Sequence, residues 1–280
     1  MPVPRRVIGL SLALLSLVPS PAVAAEREGC PGLVASGPAY LKRAALVERP
    51  GTAGSFLDRA ARPEGQVGLT FIGHATFLVE SPKGVRIATD YSESTRPAEP
   101  PDVATMNKAH GTHFSPRPDP RIKHVLRGWN PAGGPAYHDL QVEDVHIRNV
   151  STNIRDWGGG TEYDGNSIFV FETAQLCIAH LGHLHHTLSP DHLRKLVRVD
   201  VLLVPVDGGY TLETFDMMEV LKAINAPLMV PMHFFGPSTL QRFLAAAREH
   251  FPVELSPQAS ITLSRETLPQ SPKILVLPGH

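Results

Sequence analysis

The sequence predicts an α/β chain in which two β-sheets pack face to face with helices outside, and two observations carry that expectation. Apolar runs of strand length come first in each half of the chain, and after residue 189 helical and strand segments alternate. Hydrophobic residues make up 42% of the 280, enough to bury one large core.

Taken in order, the chain begins with Arg5 and Arg6, an apolar run from Val7 to Val18, and Ala22-Val23-Ala24. A charged start, a short apolar stretch and a small-residue site together read as a signal peptide over residues 1–24, so the protein is expected to be exported, in a bacterial cell to the periplasm. The run is shorter than the roughly 20 residues of a stable membrane span, and no later segment is longer and as apolar, so no stable membrane insertion is expected after processing. Residues 25–65 are rich in Pro, Gly and Ala, with a helical patch at Tyr40 to Val47, and read as a wrapping arm. Residues 66–280 read as one domain.

That domain opens with strands at Val67 to Ile72, Thr76 to Glu80 and Val85 to Thr89, the last two joined by the turn Pro82-Lys83-Gly84. A stretch from Glu93 to about Asp139 is rich in Pro and Gly and is expected to be irregular, a length that in a compact domain usually serves function. Strands are expected near Val142 to Val150, Ser167 to Phe171 and Leu176 to Ala179. Ser189-Pro190-Asp191 caps a helix to about Val197, followed by a strand at Asp200 to Val206, a helix at Leu212 to Ile224, a strand at Leu228 to Val230 and a helix at Ser238 to Glu249.

Charge narrows the choice of partners. The chain carries 26 Lys and Arg against 27 Asp and Glu, and losing Arg5 and Arg6 with the leader leaves 24 against 27. Such a balance supplies no basic field for nucleic acid, which leaves a small-molecule substrate as the expected partner. Oligomeric state is not set by composition, and whether Cys30 pairs with Cys177 is left open, although Leu176-Cys177-Ile178-Ala179 reads as buried strand.

Chemistry is concentrated in the histidines. Ala179-His180-Leu181-Gly182-His183-Leu184-His185-His186 places four of them at the end of an apolar run, Lys108-Ala109-His110-Gly111-Thr112-His113 adds two, and His233 follows another strand in Leu228-Met229-Val230-Pro231-Met232-His233. Imidazole is the commonest transition-metal ligand, and three strand ends supplying it point to one metal site on loops over a rigid sheet. Taken singly, a histidine after a strand is more often structural. The group His183, His185 and His186 is harder to dismiss, because burying several imidazoles requires partners. Ser151, Thr152 and Ser189 lack the context of a nucleophilic serine.

In their order, Gly73-His74-Ala75, Asp90, the Lys108 to His113 loop, Gly182-His183 and Met232-His233 resemble the metallo-β-lactamase fold, and its lactonase-like and phospholipase-like metallohydrolases most. The resemblance covers roughly residues 66 to 265 and implies a four-layer αββα sandwich. It is imperfect at the motif His-x-His-x-Asp-His: the first His falls on Lys108 and the Asp on Thr112, while His110 and His113 match. The family's bridging Asp falls on His183, and its middle His near Asn153.

The resemblance therefore implies one weak position facing Lys108, His110 and Asn153. A second position is made of His113, His183 and His233, with His110 adjacent. The expected metal set is His110, His113, His183 and His233, holding one zinc ion, with manganese, iron, nickel or copper open. Asp90, His185 and His186 are candidates for proton transfer, and His74, Lys108, Thr112 and Asn153 for support around the ligands. The function expected is a secreted metal-dependent hydrolase that directs metal-bound hydroxide at a lactone, amide or phosphoester. Two alternatives are a degenerate relative that binds metal or a small ligand without catalysis, and a structural protein whose histidines are satisfied internally.

Overall fold

The computed structural model describes residues 62–156 and 158–279, together with Met1. The expected signal peptide and nearly all of the expected arm lie outside the described residues.

The elements are β1 (Val67–Gly73), β2 (Thr76–Glu80), β3 (Arg86–Ala88), β4 (Val103–Met106), β5 (His124–Arg127), β6 (Asp139–Val142), β7 (Val145–Arg155), β8 (Thr161–Thr173) and β9 (Leu176–His180). They continue with α1 (Pro190–Leu196), β10 (Val201–Pro205), α2 (Thr214–Ile224), β11 (Leu228–Met232), α3 (Pro237–Ala247), β12 (Val253–Leu255), β13 (Ser260–Leu263) and β14 (Lys273–Val276). A six-stranded sheet has the order β13-β1-β2-β3-β4-β5, and an eight-stranded sheet the order β12-β14-β11-β10-β9-β8-β7-β6.

Alternation of side chains builds the sandwich. Leu69, Phe71, Phe77, Val79 and Ile87 face Ile147, Phe169, Phe171, Ile178, Leu203 and Val230 in the core between the sheets. The opposite face of the second sheet, with Val170, Ala179, Leu202 and Met229, is covered by Leu196 of α1, Met217 and Leu221 of α2, and Phe243 and Leu244 of α3. On the outer face of the first sheet, Ala88, Ala104 and Met106 pack against Tyr91, Phe114, Ile122 and Trp129. Over the described residues that layer is irregular chain, where the αββα reading expects helix.

The stretch from Glu93 to Asp139 departs from expectation. It contains β4 and β5, which extend the first sheet in parallel register, Ile87 opposite Val103 and Ala104 opposite Val125. Strands of four residues between prolines carry too little periodicity to announce themselves. Both matter to the site, because β4 ends where the loop carrying His110 and His113 begins. Ser189 caps α1 as expected, its hydroxyl accepting from the His192 N–H at 3.2 Å. Cys177 is fully buried in β9, and the described residues include no free cysteine.

Candidate metal centre

The ends of β1, β4, β9 and β11 meet at one rim of the sandwich, and each is followed by a turn that carries a histidine. After β4, the Asn107 N–H donates to the His113 carbonyl at 3.1 Å and the His113 N–H to the His110 carbonyl at 2.9 Å, which folds the loop back and brings His110 and His113 to one side. After β9, Gly182 takes a left-handed φ of 62°, and a Cβ there would run into Asn107 and Asn166. Asn166 Oδ1 in turn accepts the His183 N–H at 2.8 Å, so the glycine lets the chain pass close enough to seat His183. After β11, His233 is also left-handed, φ 57°.

His110, His113, His183 and His233 converge, with ligand atoms all within 4.8 Å of one another. His110 Nε2 is 2.9 Å from His183 Nε2, and His113 Nε2 is 3.0 Å from His233 Nε2. Nitrogens sharing one ion at about 2.0–2.1 Å lie roughly 2.9–3.4 Å apart, so the spacing suits a single cation.

Each of the four has its own orienting partner. His113 Nδ1 donates to Asp90 Oδ2 at 2.5 Å, and Asn107 Nδ2 donates to the other Asp90 oxygen at 2.9 Å. His233 Nδ1 stands 2.9 Å from Asp207 Oδ2, an ion-pair contact. His110 Nδ1 is 2.7 Å from Thr112 Oγ1, which is 2.8 Å from His74 Nε2. His183 Nδ1 is 2.5 Å from His185 Nε2. Asp90 holds Nδ1 of His113 and Asp207 stands against Nδ1 of His233, an arrangement that turns the Nε2 atoms of the two rings toward each other across 3.0 Å. With the proton of each ring on Nδ1, beside its carboxylate, the two Nε2 atoms present lone pairs that one shared cation would satisfy, so the donor set fits a metal. The Arg155 N–H donates to His185 Nδ1 at 2.5 Å, which keeps the His185 proton on Nε2, facing His183. Ligation by His183 then requires loss of a proton from this pair.

Electrostatics favour the neutral form of three of these rings. Burial, followed by the neighbouring histidines, holds His113 and His183 well below the ordinary imidazole value and lowers His110 as well. Burial and His233 bring His74 to about 3, while burial and Arg155 bring His185 to about 4. Desolvation pushes Asp90 up to about 6, partly opposed by His180 and Asn107, so it is a carboxylate at neutral pH. Desolvation works to raise Asp207 too, but bonds from His233 and Thr211 outweigh it and hold the group below the usual carboxylate range.

Several residues read from sequence stand elsewhere. Lys108 is exposed and its ammonium pairs with Glu162 of β8, so it is committed to that carboxylate and not to an ion's place. Asn153 Oδ1 accepts the Asp164 N–H at 3.1 Å within the β7–β8 pairing. Asp90 is fully buried behind His113 with both oxygens occupied, and His185 has both ring nitrogens engaged, which suits positioning rather than proton transfer to a substrate. His186 Nε2 is buried without a hydrogen-bond partner. His180, part of the histidine cluster, is structural: Nε2 donates to the Ala75 carbonyl at 2.9 Å and Nδ1 accepts the Gly182 N–H at 3.1 Å. Sequence reasoning missed Asn107, Asn166 and Asp207. Asp207 had one readable signal, a carboxylate at a strand end.

The model of the beta-lactamase superfamily domain matches residues 68–233, a span that runs from β1 to the last histidine of the cluster. The chain belongs to the metallo-β-lactamase superfamily. Within this superfamily it is 27% identical over 180 residues to a metal-dependent hydrolase of Methanoculleus marisnigri, covering 59% of this chain and 80% of that one. A crystal structure from Thermotoga maritima, described as a candidate Zn-dependent hydrolase of the metallo-beta-lactamase superfamily, is 27% identical with a TM-score of 0.57, covering 76% of this chain and all of the other. The fold is also shared with a metallo hydrolase of Ignicoccus hospitalis, 18% identical with a TM-score of 0.51 over 71% of this chain and 99% of that one.

Proposed function

We propose that this member of the superfamily is an exported metal-dependent hydrolase of small molecules that works with one divalent ion, zinc first, on a lactone, amide or phosphoester. The observation that carries the reading is the pair of Nε2 atoms of His113 and His233, whose rings have Asp90 and Asp207 against Nδ1, facing each other beside His110 and His183. The fully or nearly buried His113, His183 and His233 would hold the ion, and the half-buried His110 would stand on the solvent side. A bound divalent ion supplies Lewis-acid polarisation of a carbonyl or phosphoryl oxygen and makes water acidic near neutral pH.

The remaining work falls to the chain. Asp90 and Asp207 hold two ligand rings in the right tautomer and offset the charge of the ion. Thr112 replaces the family's carboxylate and spends its hydroxyl between His74 and His110, so it orients His110 and does not act as a base. That substitution favours one alternative, a protein that binds metal without turnover. Zinc-, manganese-, iron- and nickel-loaded protein assayed on lactone, amide and phosphodiester panels separates the two. Chelator-sensitive hydrolysis of any class supports the hydrolase, and full metal loading with no hydrolysis supports the alternative.

A further inference from the structure

Beside the four histidines stand two large rings that solvent reaches freely. Tyr210 is 69% exposed and Phe235 is 59% exposed, although each is an aromatic side chain with apolar surface to bury. Their centroids are 5.4 Å apart in an edge-to-face arrangement. Phe235 is also 5.3 Å from the His233 ring and 5.9 Å from the His74 ring, so the pair begins where the ligands end.

The loop that presents Tyr210 is held from both sides. Asp207 Oδ1 accepts the N–H groups of Gly209, Tyr210 and Thr211 at 2.9, 2.6 and 3.1 Å. Arg155 Nη2 donates to the carbonyls of the same three residues at 2.8, 2.9 and 2.8 Å. The carboxylate that fixes this loop is the one that orients His233, and the arginine is the residue whose N–H fixes His185. The aromatic surface and the ligands are therefore parts of one rigid assembly, and the rings are in place before anything binds them.

We propose that Tyr210 and Phe235 form the surface against which a planar apolar group of the substrate lies, next to the bond that is broken. The inference rests on the metal-hydrolase reading and adds the substrate class: small molecules carrying an aromatic or similarly flat apolar group beside the carbonyl or phosphoryl centre. Two rings present far less than the roughly 1,000 Å² of a stable protein interface, whereas apolar walls beside a few polar groups are what small-molecule sites use. Edge-to-face and offset stacking on exposed rings adds specificity to the burial of area.

The test compares two metal-binding probes that differ only in the apolar group, 2-naphthohydroxamate and acetohydroxamate, titrated calorimetrically into zinc-loaded protein. Wild type is expected to bind the naphthyl probe about tenfold or more tightly than the acetyl probe. In the Tyr210→Ala, Phe235→Ala double variant, with zinc content retained, that ratio should fall to within about threefold, and Phe235→Tyr should keep it. A ratio near one in wild type, or a ratio untouched by the double variant, overturns the proposal while leaving the metal reading in place. If the double variant loses zinc, the wild-type ratio decides. Failure of wild type to take up zinc overturns the metal reading and this inference with it, and failure of both probes to bind zinc-loaded wild type overturns this inference alone.

Discussion

The His233 N–H donates to the His74 carbonyl at 2.6 Å, and both residues hold left-handed backbones, φ 57° and 48°. One follows β11 of the eight-stranded sheet and the other follows β1 of the six-stranded sheet, so this bond ties the two sheets together at the rim that carries the ligands. Asp90, φ 40°, is left-handed as well. Such conformations cost non-glycine residues about 1–3 kcal/mol each and persist where the surroundings impose them, commonly at functional sites.

A site that joins two sheets should report metal binding in the stability of the whole domain. At a hundredfold excess over Kd, an ion that binds only the folded state adds about 2.7 kcal/mol, which for a domain of this size is roughly 5–10 °C in Tm. Calorimetry before and after chelation checks this, and an unchanged Tm contradicts it.

Loss of an orienting carboxylate should weaken the metal without removing a ligand. Asp207→Asn and Asp90→Asn are each expected to cost about 10–100-fold in metal affinity. Competition with a chromophoric chelator reads the change. Gly182→Ala, which drives a methyl group into Asn107 and Asn166, should reduce both metal binding and stability.

Lys108→Ala should leave metal affinity within about twofold, because the ammonium pairs with Glu162 on the surface. A large gain in affinity would show instead that the lysine competes with the ion.

Acid should destabilise the metal-free protein. The unfolded chain takes up protons on His74, His110, His113, His183 and His185 near the ordinary value of 6.5, whereas the folded chain takes them up only at lower pH, about 4 for His185 and about 3 for His74. Stability is therefore lost as pH falls from about 6.5 toward 4. Asp90, whose folded value of about 6 lies above its ordinary 3.8, and His146, where desolvation is outweighed by Asp139 and Glu172 and the value is raised, act in the opposite sense. Against them, His124, His180 and His192 are lowered as well and add to the five. A lower Tm at pH 5.5 than at pH 7.5 is expected for chelated protein, and an equal or higher Tm contradicts it.

Much of this arrangement was legible in the sequence. The β2–β3 hairpin and the β10-α2-β11-α3 alternation follow from apolar periodicity and turn residues, strand-end position points to three loops that carry histidines, and the family resemblance picks His110, His113, His183 and His233 among them. The four-residue strands β4 and β5 were hidden, because Val103–Met106 and His124–Arg127 become strands only by pairing with β3 and with each other. The division of labour among the histidines was hidden too. His180 and His183 are three residues apart, yet one donates to a backbone carbonyl and the other joins the cluster, a difference set by the turn at Gly182. In the sequence Asp207-Gly208-Gly209-Tyr210 reads only as a loop tip with a tight turn, because the partner of Asp207, His233, is 26 residues further on and meets it only through the parallel pairing of β10 with β11.

The central claim is that the four histidines hold one ion, and elemental analysis of protein purified without a histidine-rich tag tests it most directly. About one equivalent of divalent metal per chain is expected in wild type and close to none in His183→Ala and His233→Ala. Two tightly held ions per chain, none in wild type, or full occupancy in His233→Ala would contradict it.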